Sequence, residues 1–358
     1  MEKVKNVFIF ISGITIIFIV SEIYFNITGI SLPSYVYDNE SIGRTHKPGQ
    51  KIFEANAEGF CIDEVNAFGY TGNGYPKNKS EDVIRIALFG SSYIEGLQVF
   101  RRNRFSTILE NNLKTKLQKN IEVLNFAIGG DDFRGMFLRY KKLAQDYKPD
   151  LSLFFLQNQA LVKEKTIPSP QVVIENDTLK FNYRYLESEE TELRKKFQFV
   201  RFTSLGNLFK EGFEAYYSGR LPKIVFDKLW HSVGNNLSYE DSVDKYGDLN
   251  TMIFNYLNEI NNSSGETKNI IIFIDSVNSY YYDYLQKNKF PYFNLYEKLK
   301  PFGKEKLHFW KASNKIGHWN NFAHRLVGNL LTDYLSNYLM NENYDLLKRG
   351  KNKYVNDN

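Results

Sequence analysis

The sequence predicts an α/β protein of three layers: a central parallel sheet with helices on both faces, one transmembrane helix before it and a mainly helical insertion within it. Three observations predict this. Apolar runs of strand length alternate with helix-like segments from Val83 onward. An uncharged run rich in Ile, Phe and Val, Val7 to Val20, lies near the start. Between about 160 and 265 the alternation stops, and it resumes afterwards.

The first element is the apolar helix. Met1 to Asn6 carries Lys3 and Lys5, and Val7 to Phe25 is 19 residues long. That is about enough to cross a hydrocarbon core if Glu22 sits at the far interface. A cleaved signal peptide is the alternative, but the small-x-small cleavage pattern is poor, with Ile19-Val20-Ser21 the nearest candidate. An uncleaved single-pass anchor is therefore expected. The next basic residue is Arg44, so the positive-inside rule leaves residues 1–25 as cytoplasmic N-terminus and anchor, with the main domain extracytoplasmic.

Residues 26–82 are punctuated by Pro33, Pro48, Gly49, Gly59, Gly69, Gly72, Gly74 and Pro76. This predicts an irregular lead-in of loops and short strands laid on the main domain. The main domain, 83–341, opens with strand Ile84–Phe89 and a helix from Phe105 to Gln118. Strand Glu122–Phe126, a helix from Phe133 to Tyr147 and strand Leu151–Leu156 follow. In the insertion, Gln171–Ile174 and Leu179–Tyr183 flank Asn176-Asp177, a hairpin signal. Glu189–Tyr217 and Tyr239–Asn261 read as helical. Strand Asn269–Ile274, a helix near Tyr280–Gln286, a short strand around Tyr292–Leu295 and a helix from Asn321 to Leu339 complete the pattern. Residues 342–358 read as a basic flexible tail.

Composition removes several function classes. The net charge is +5 on 46 basic and 41 acidic residues spread along the 358-residue chain, which does not suggest nucleic acid. Cys61 is the only cysteine, so no intrachain disulfide or cysteine-based metal site can form. His46, His231 and His308 have no partner at metal spacing, and neither a metal nor a cofactor is expected.

Four segments carry chemistry. Phe89-Gly90-Ser91-Ser92-Tyr93-Ile94-Glu95-Gly96 follows the first strand and places serines on a tight turn, the way a hydrolase exposes a nucleophilic hydroxyl. Ile128-Gly129-Gly130-Asp131-Asp132 ends the second strand, and Gln157-Asn158-Gln159 ends the third. Gly317-His318-Trp319-Asn320-Asn321 precedes the last helix, with Asn320 or Asn321 as its cap. Each segment alone reads as an ordinary turn or cap. Together they fall at the carboxyl ends of sheet strands, where α/β folds bind ligands.

In that order and spacing the segments resemble the SGNH hydrolases, the GDSL esterase and lipase family. Gly90 to Gly96 matches the first block, Gly130 the second-block glycine, Asn158 the third-block Asn and His318 the last-block His. Membrane-anchored bacterial members are similar further afield, at Glu22, at Asn66-Ala67-Phe68-Gly69-Tyr70, at Lys148-Pro149-Asp150 and from His318 to His324. The resemblance covers roughly 1–160 and 265–340. It implies a three-layer, flavodoxin-like SGNH fold. It also implies Ser92 as nucleophile, His318 as general base, and an oxyanion hole built from the Ser92 and Gly130 N–H groups and the Asn158 amide.

The chain departs from the pattern at the acids. Ser91 and Gln159 stand where the family has Asp, and Lys315 and Ile316 occupy the positions of the triad acid. Asn314, a backbone carbonyl in 313–316, or a carboxylate from elsewhere such as Asp131 or Asp132 are the candidates to orient His318 in its place. Two functions stay open. One is a serine esterase or O-acyltransferase acting on acyl esters of an exported or envelope glycan, or on a small ester. The other is a catalytically inactive domain that binds glycan or a partner in a polysaccharide assembly complex.

Overall fold

A computed structural model describes residues 2–28, 32–56, 58–162, 169–188, 191–192, 195–196, 200, 202–209, 247–263, 267–311 and 313–341. Much of the helix expected over Glu189–Tyr217, the start of the one expected over Tyr239–Asn261, and all of the tail, 342–358, lie outside the described residues.

The apolar run forms α1 (Glu2–Thr28), which buries none of its residues. It is long and apolar enough to span a bilayer. The lead-in is more regular than its Gly and Pro content suggested. It holds two antiparallel hairpins, β1 (Val36–Asn39) with β2 (Gly43–His46), and β3 (Lys51–Asn56) with β4 (Gly59–Glu64).

Strand β5 (Val83–Phe89) leads into a single turn of helix, α2 (Ser92–Glu95), and then α3 (Phe105–Leu117). After β6 (Asn120–Asn125) comes α4 (Phe133–Lys142), which ends five residues earlier than expected because the chain tightens into a 3₁₀ turn over Ala144–Tyr147. After β7 (Leu151–Leu156) comes the short α5 (Asn158–Val162), and then the expected hairpin, β8 (Gln171–Glu175) with β9 (Thr178–Asn182). The α/β pattern resumes with α6 (Gly247–Asn262), β10 (Lys268–Phe273), α7 (Ser279–Lys287) and β11 (Tyr292–Asn294). The chain continues through α8 (Leu295–Leu299), α9 (Gly303–His308), the miniature hairpin of β12 (Phe309–Trp310) and β13 (Lys315–Ile316), and α10 (Asn321–Asn341).

The five-stranded sheet has the order β11-β10-β7-β5-β6, and every pairing in it is parallel. Both faces are covered, which is why its strands read as continuous apolar runs. Ile84, Ile86 and Leu88 of β5 join Leu151 and Leu153 of β7 in one core, under α3 and α10. The intervening Ala87 and Phe89 join Phe154 and Leu156 in the other, with Phe133 and Phe137 of α4 and Phe254 of α6. The fold is thus a three-layer α/β/α sandwich. Asp150 of the Lys-Pro-Asp segment pins its base: one carboxylate oxygen accepts from the Arg85 N–H and from Lys79 Nζ, both at 2.7 Å.

Candidate active site

Ser92 opens α2, directly beyond the carboxyl end of β5. Its hydroxyl lies 2.7 Å from His318 Nε2. His318 sits between β13 and α10 in a tightly held loop. The Gly317 N–H donates to the His308 carbonyl at 3.0 Å, the Gly317 carbonyl meets His308 Nδ1 at 2.8 Å, and Trp310 Nε1 donates to the His318 carbonyl at 3.0 Å. Asn320 caps α10, its Oδ1 accepting from the Ala323 N–H at 3.1 Å. Tyr93 lies against the imidazole with ring centroids 4.6 Å apart. Burial, reinforced by Glu58 and Asp275, pushes its phenol up to about 12, so it packs there as a neutral ring.

At the other ring nitrogen stands a carboxylate from elsewhere in the chain, but it is neither Asp131 nor Asp132. His318 Nδ1 meets the carboxylate of Glu58, whose Oε2 also accepts the His318 backbone N–H at 2.8 Å. Glu58 stands in the turn between β3 and β4, 260 residues upstream. Burial acts to raise its pKa, but hydrogen bonds from the His318 ring and N–H, and attraction to His318 and His308, outweigh this and hold it below the ordinary Glu value.

The other candidates are engaged elsewhere. Asp131 accepts from Arg139 Nε at 2.8 Å. Asp132 caps α4, accepting the Gly135 N–H at 2.7 Å, and pairs with Arg134. Asn314 is an exposed turn residue between β12 and β13, with φ of 53°. No main-chain carbonyl in 313–316 takes the Nδ1 position, because Glu58 holds it.

Two features let Glu58 reach. Gly317 carries no side chain, and a Cβ there would lie 2.3 Å from Glu58 Cδ. The hairpin is also fastened from behind. Asp63 of β4 pairs with Arg104 at 2.5 Å and with Arg101, both flanking the start of α3, and Arg104 Nη2 donates to the buried Cys61 at 3.1 Å. No signal in the sequence links position 58 to 318.

The remaining predicted residues stand at the ends of neighbouring strands. β5 lies between β6 and β7, so the turn at Gly129-Gly130 and the start of α5 at Asn158 flank Ser92. The Cβ position of Gly129 is 3.6 Å from Ser92 Cβ. Asn158 is half-buried, and among the described residues its Oδ1 has no hydrogen-bond partner. Ser91 donates to Gln157 Oε1 at 3.3 Å. Glu95 is bonded to the Gly129 N–H and to His46. His324 is buried and accepts the Phe105 N–H at 3.3 Å, a role inside the core. Among the described residues, no cluster of three His, Cys, Asp or Glu is placed to hold a metal ion.

A serine hydroxyl, an imidazole and a carboxylate in this order can pass the hydroxyl proton to Nε2. The carboxylate fixes the tautomer and stabilises the imidazolium that forms.

No protein-family model and no curated protein matches the chain. Similar solved structures include a psychrotrophic esterase from Pseudoalteromonas sp., 15% identical with a TM-score of 0.40, the match covering 72% of this chain and 99% of that one. A lipase/acylhydrolase from Enterococcus faecalis is 15% identical with a TM-score of 0.34, over 71% and 96% of the two chains. An acetyl xylan esterase is 14% identical with a TM-score of 0.37, over 71% and 99%.

Proposed function

We propose that the chain is a membrane-anchored serine esterase or O-acyltransferase of the SGNH type, acting on acyl esters of an exported glycan. The observation that carries this reading is the Ser92–His318–Glu58 relay, with its 2.7 Å contact between hydroxyl and imidazole. Ser92 Oγ attacks the ester carbonyl while His318 Nε2 takes its proton. The Ser92 and Gly130 N–H groups and the Asn158 amide hold the oxyanion. Each such donor is worth about 2.7–4 kcal/mol in the transition state. Collapse breaks the bond to the leaving alcohol, which takes the proton back from His318. Water or a sugar hydroxyl then attacks the acyl-Ser92, and that choice separates hydrolysis from transfer. The glycan substrate is supported by the anchor α1 and the export orientation expected from Lys3 and Lys5. The inactive alternative rested on three lost acids, at Ser91, at Gln159 and before His318; Glu58 beside His318 Nδ1 speaks against the third of these grounds.

A fluorophosphonate reagent tests the reading. Wild-type protein is expected to take up one reagent molecule per chain on Ser92 and to hydrolyse p-nitrophenyl acetate, with Ser92→Ala losing both. A folded wild-type protein that is not labelled and has no ester hydrolysis above its Ser92→Ala variant would falsify the proposal.

A further inference from the structure

We infer that Arg44 and Glu95 are positioning residues for the oxyanion hole: Arg44 fixes which way the Gly129–Gly130 peptide faces, and Glu95 anchors the Ile128–Gly129 peptide from which it turns. The inference rests on the reading of Ser92 as nucleophile. Residues Ile128 to Asp131 form a β-turn, closed by the Asp131 N–H on the Ile128 carbonyl at 3.2 Å. Gly130, its third residue, has φ of 80°, the mark of a type II turn. A type I turn differs from it by a flip of the central peptide. The described peptide bonds are all trans, so the Gly129 carbonyl and the Gly130 N–H point in opposite directions. Whatever holds that carbonyl therefore aims that N–H.

Arg44 holds it, with Nη1 3.4 Å from the Gly129 oxygen. Glu95 holds the other side of the same residue, its Oε2 accepting the Gly129 N–H at 2.7 Å. A flip of the central peptide would break the Arg44 contact and turn the Gly130 N–H toward a cation. The turn is also seated against the nucleophile, through the Ile128 N–H on the Gly90 carbonyl at 3.1 Å.

The holders are themselves built in. Glu95 is 4% exposed and its Oε1 lies 2.7 Å from Nε2 of the equally buried His46. Burial acts to raise the Glu95 pKa, and His46, Arg44 and the Gly129 N–H more than offset it, so the group stays an anion. Arg44 is braced by Arg139, which donates to the Arg44 carbonyl and to Asp131. The strap runs from β2, over the turn, to α4. It gives a use to a buried carboxylate three residues from the nucleophile, which the proton relay leaves without one.

The test uses the full-length protein with active sites counted by fluorophosphonate taken to completion. It compares p-nitrophenyl acetate hydrolysis with the affinity of a boronic acid, which forms a tetrahedral adduct on a serine. Arg44→Met and Glu95→Ala are expected to lower kcat per titrated site by about 10- to 100-fold, part of the effect of losing an oxyanion donor. Boronate affinity should weaken by a similar factor, with KM within about twofold. Arg44→Lys should recover part of the loss. If Arg44→Met does not fold, Arg44→Lys decides, with a fall of about three- to tenfold in kcat and boronate affinity at constant KM. Wild-type kcat and boronate affinity per site in the folded variants would overturn the strap while leaving the esterase reading standing. A wild-type protein that neither titrates nor hydrolyses would overturn both.

Discussion

Glu58 is the residue on which the proposed chemistry turns, and its removal gives the sharpest single-residue prediction. Glu58→Gln is isosteric but cannot stabilise an imidazolium, so kcat on p-nitrophenyl acetate should fall by about 10⁴ with little change in KM. Asn314→Ala should change neither. A loss with Asn314→Ala equal to that with Glu58→Gln would move the orienting role back to the loop before His318. Gly317→Ala tests the same contact from the other side. Its Cβ would sit 2.3 Å from Glu58 Cδ, and displacing a carboxylate by about an ångström is expected to cost about a hundredfold in kcat. At this scale the sequence was half legible. Ser92, Gly130, Asn158 and His318 each occupy a recurring local setting, a turn or cap at the end of a strand. Glu58 occupies none, because its partner is brought to it only by tertiary folding.

Among the elements, α3 and α10 meet through a buried histidine. Complete burial, with Arg104 and His318 adding to it, depresses the His324 pKa from 6.5 to about 3. The folded protein therefore keeps this ring neutral while the unfolded chain protonates it below about pH 6.5. Stability from this residue is complete above that pH and is lost as the pH falls toward 3, by up to about 1.4 kcal/mol per pH unit. Chemical denaturation at pH 7 and pH 5 should show a smaller loss for His324→Gln than for wild type. Equal losses would remove His324 from the account. The strands and their helices were legible here, since burial on both faces makes β5, β7 and β10 predominantly apolar, with Arg85, Ser152 and Asn269 as the buried polar exceptions. The hairpins of the lead-in were not, because β3 and β4 are short and expose alternate residues such as Phe60 and Ile62.

For the whole molecule, the open matter is how α1 relates to the body. Glu22 accepts the backbone N–H groups of Ser204 and Leu205 at 2.7 and 2.9 Å, and Asn26 donates to Ser204 Oγ at 2.8 Å. The apolar helix is thus joined to the insertion by polar contacts at its far end. A helix discarded during export would leave those two N–H groups to other partners. We therefore expect α1 to be retained. A reporter fused after Asn358 should be active only outside the cytoplasm, and the extracted protein should keep its N-terminal residues. A mature protein beginning near Glu22 would show cleavage instead. The long apolar helix was legible from composition alone. Its attachment was not, because nothing local to Glu22 names residues 204 and 205 as its partners.

The position of Glu58 changes how a defunct copy of such an enzyme is told from a working one. A census that looks for an acid two or three residues before the histidine would file this chain among the pseudoenzymes, on the strength of Lys315 and Ile316. Once a hairpin from the lead-in supplies the carboxylate, those two positions are released from that duty. Both are exposed on β13, open to being reshaped by selection for other ends. The inventory of parts has to be taken in space, and a gene lacking the usual acid is judged inactive only after the far end of its own chain has been searched for one.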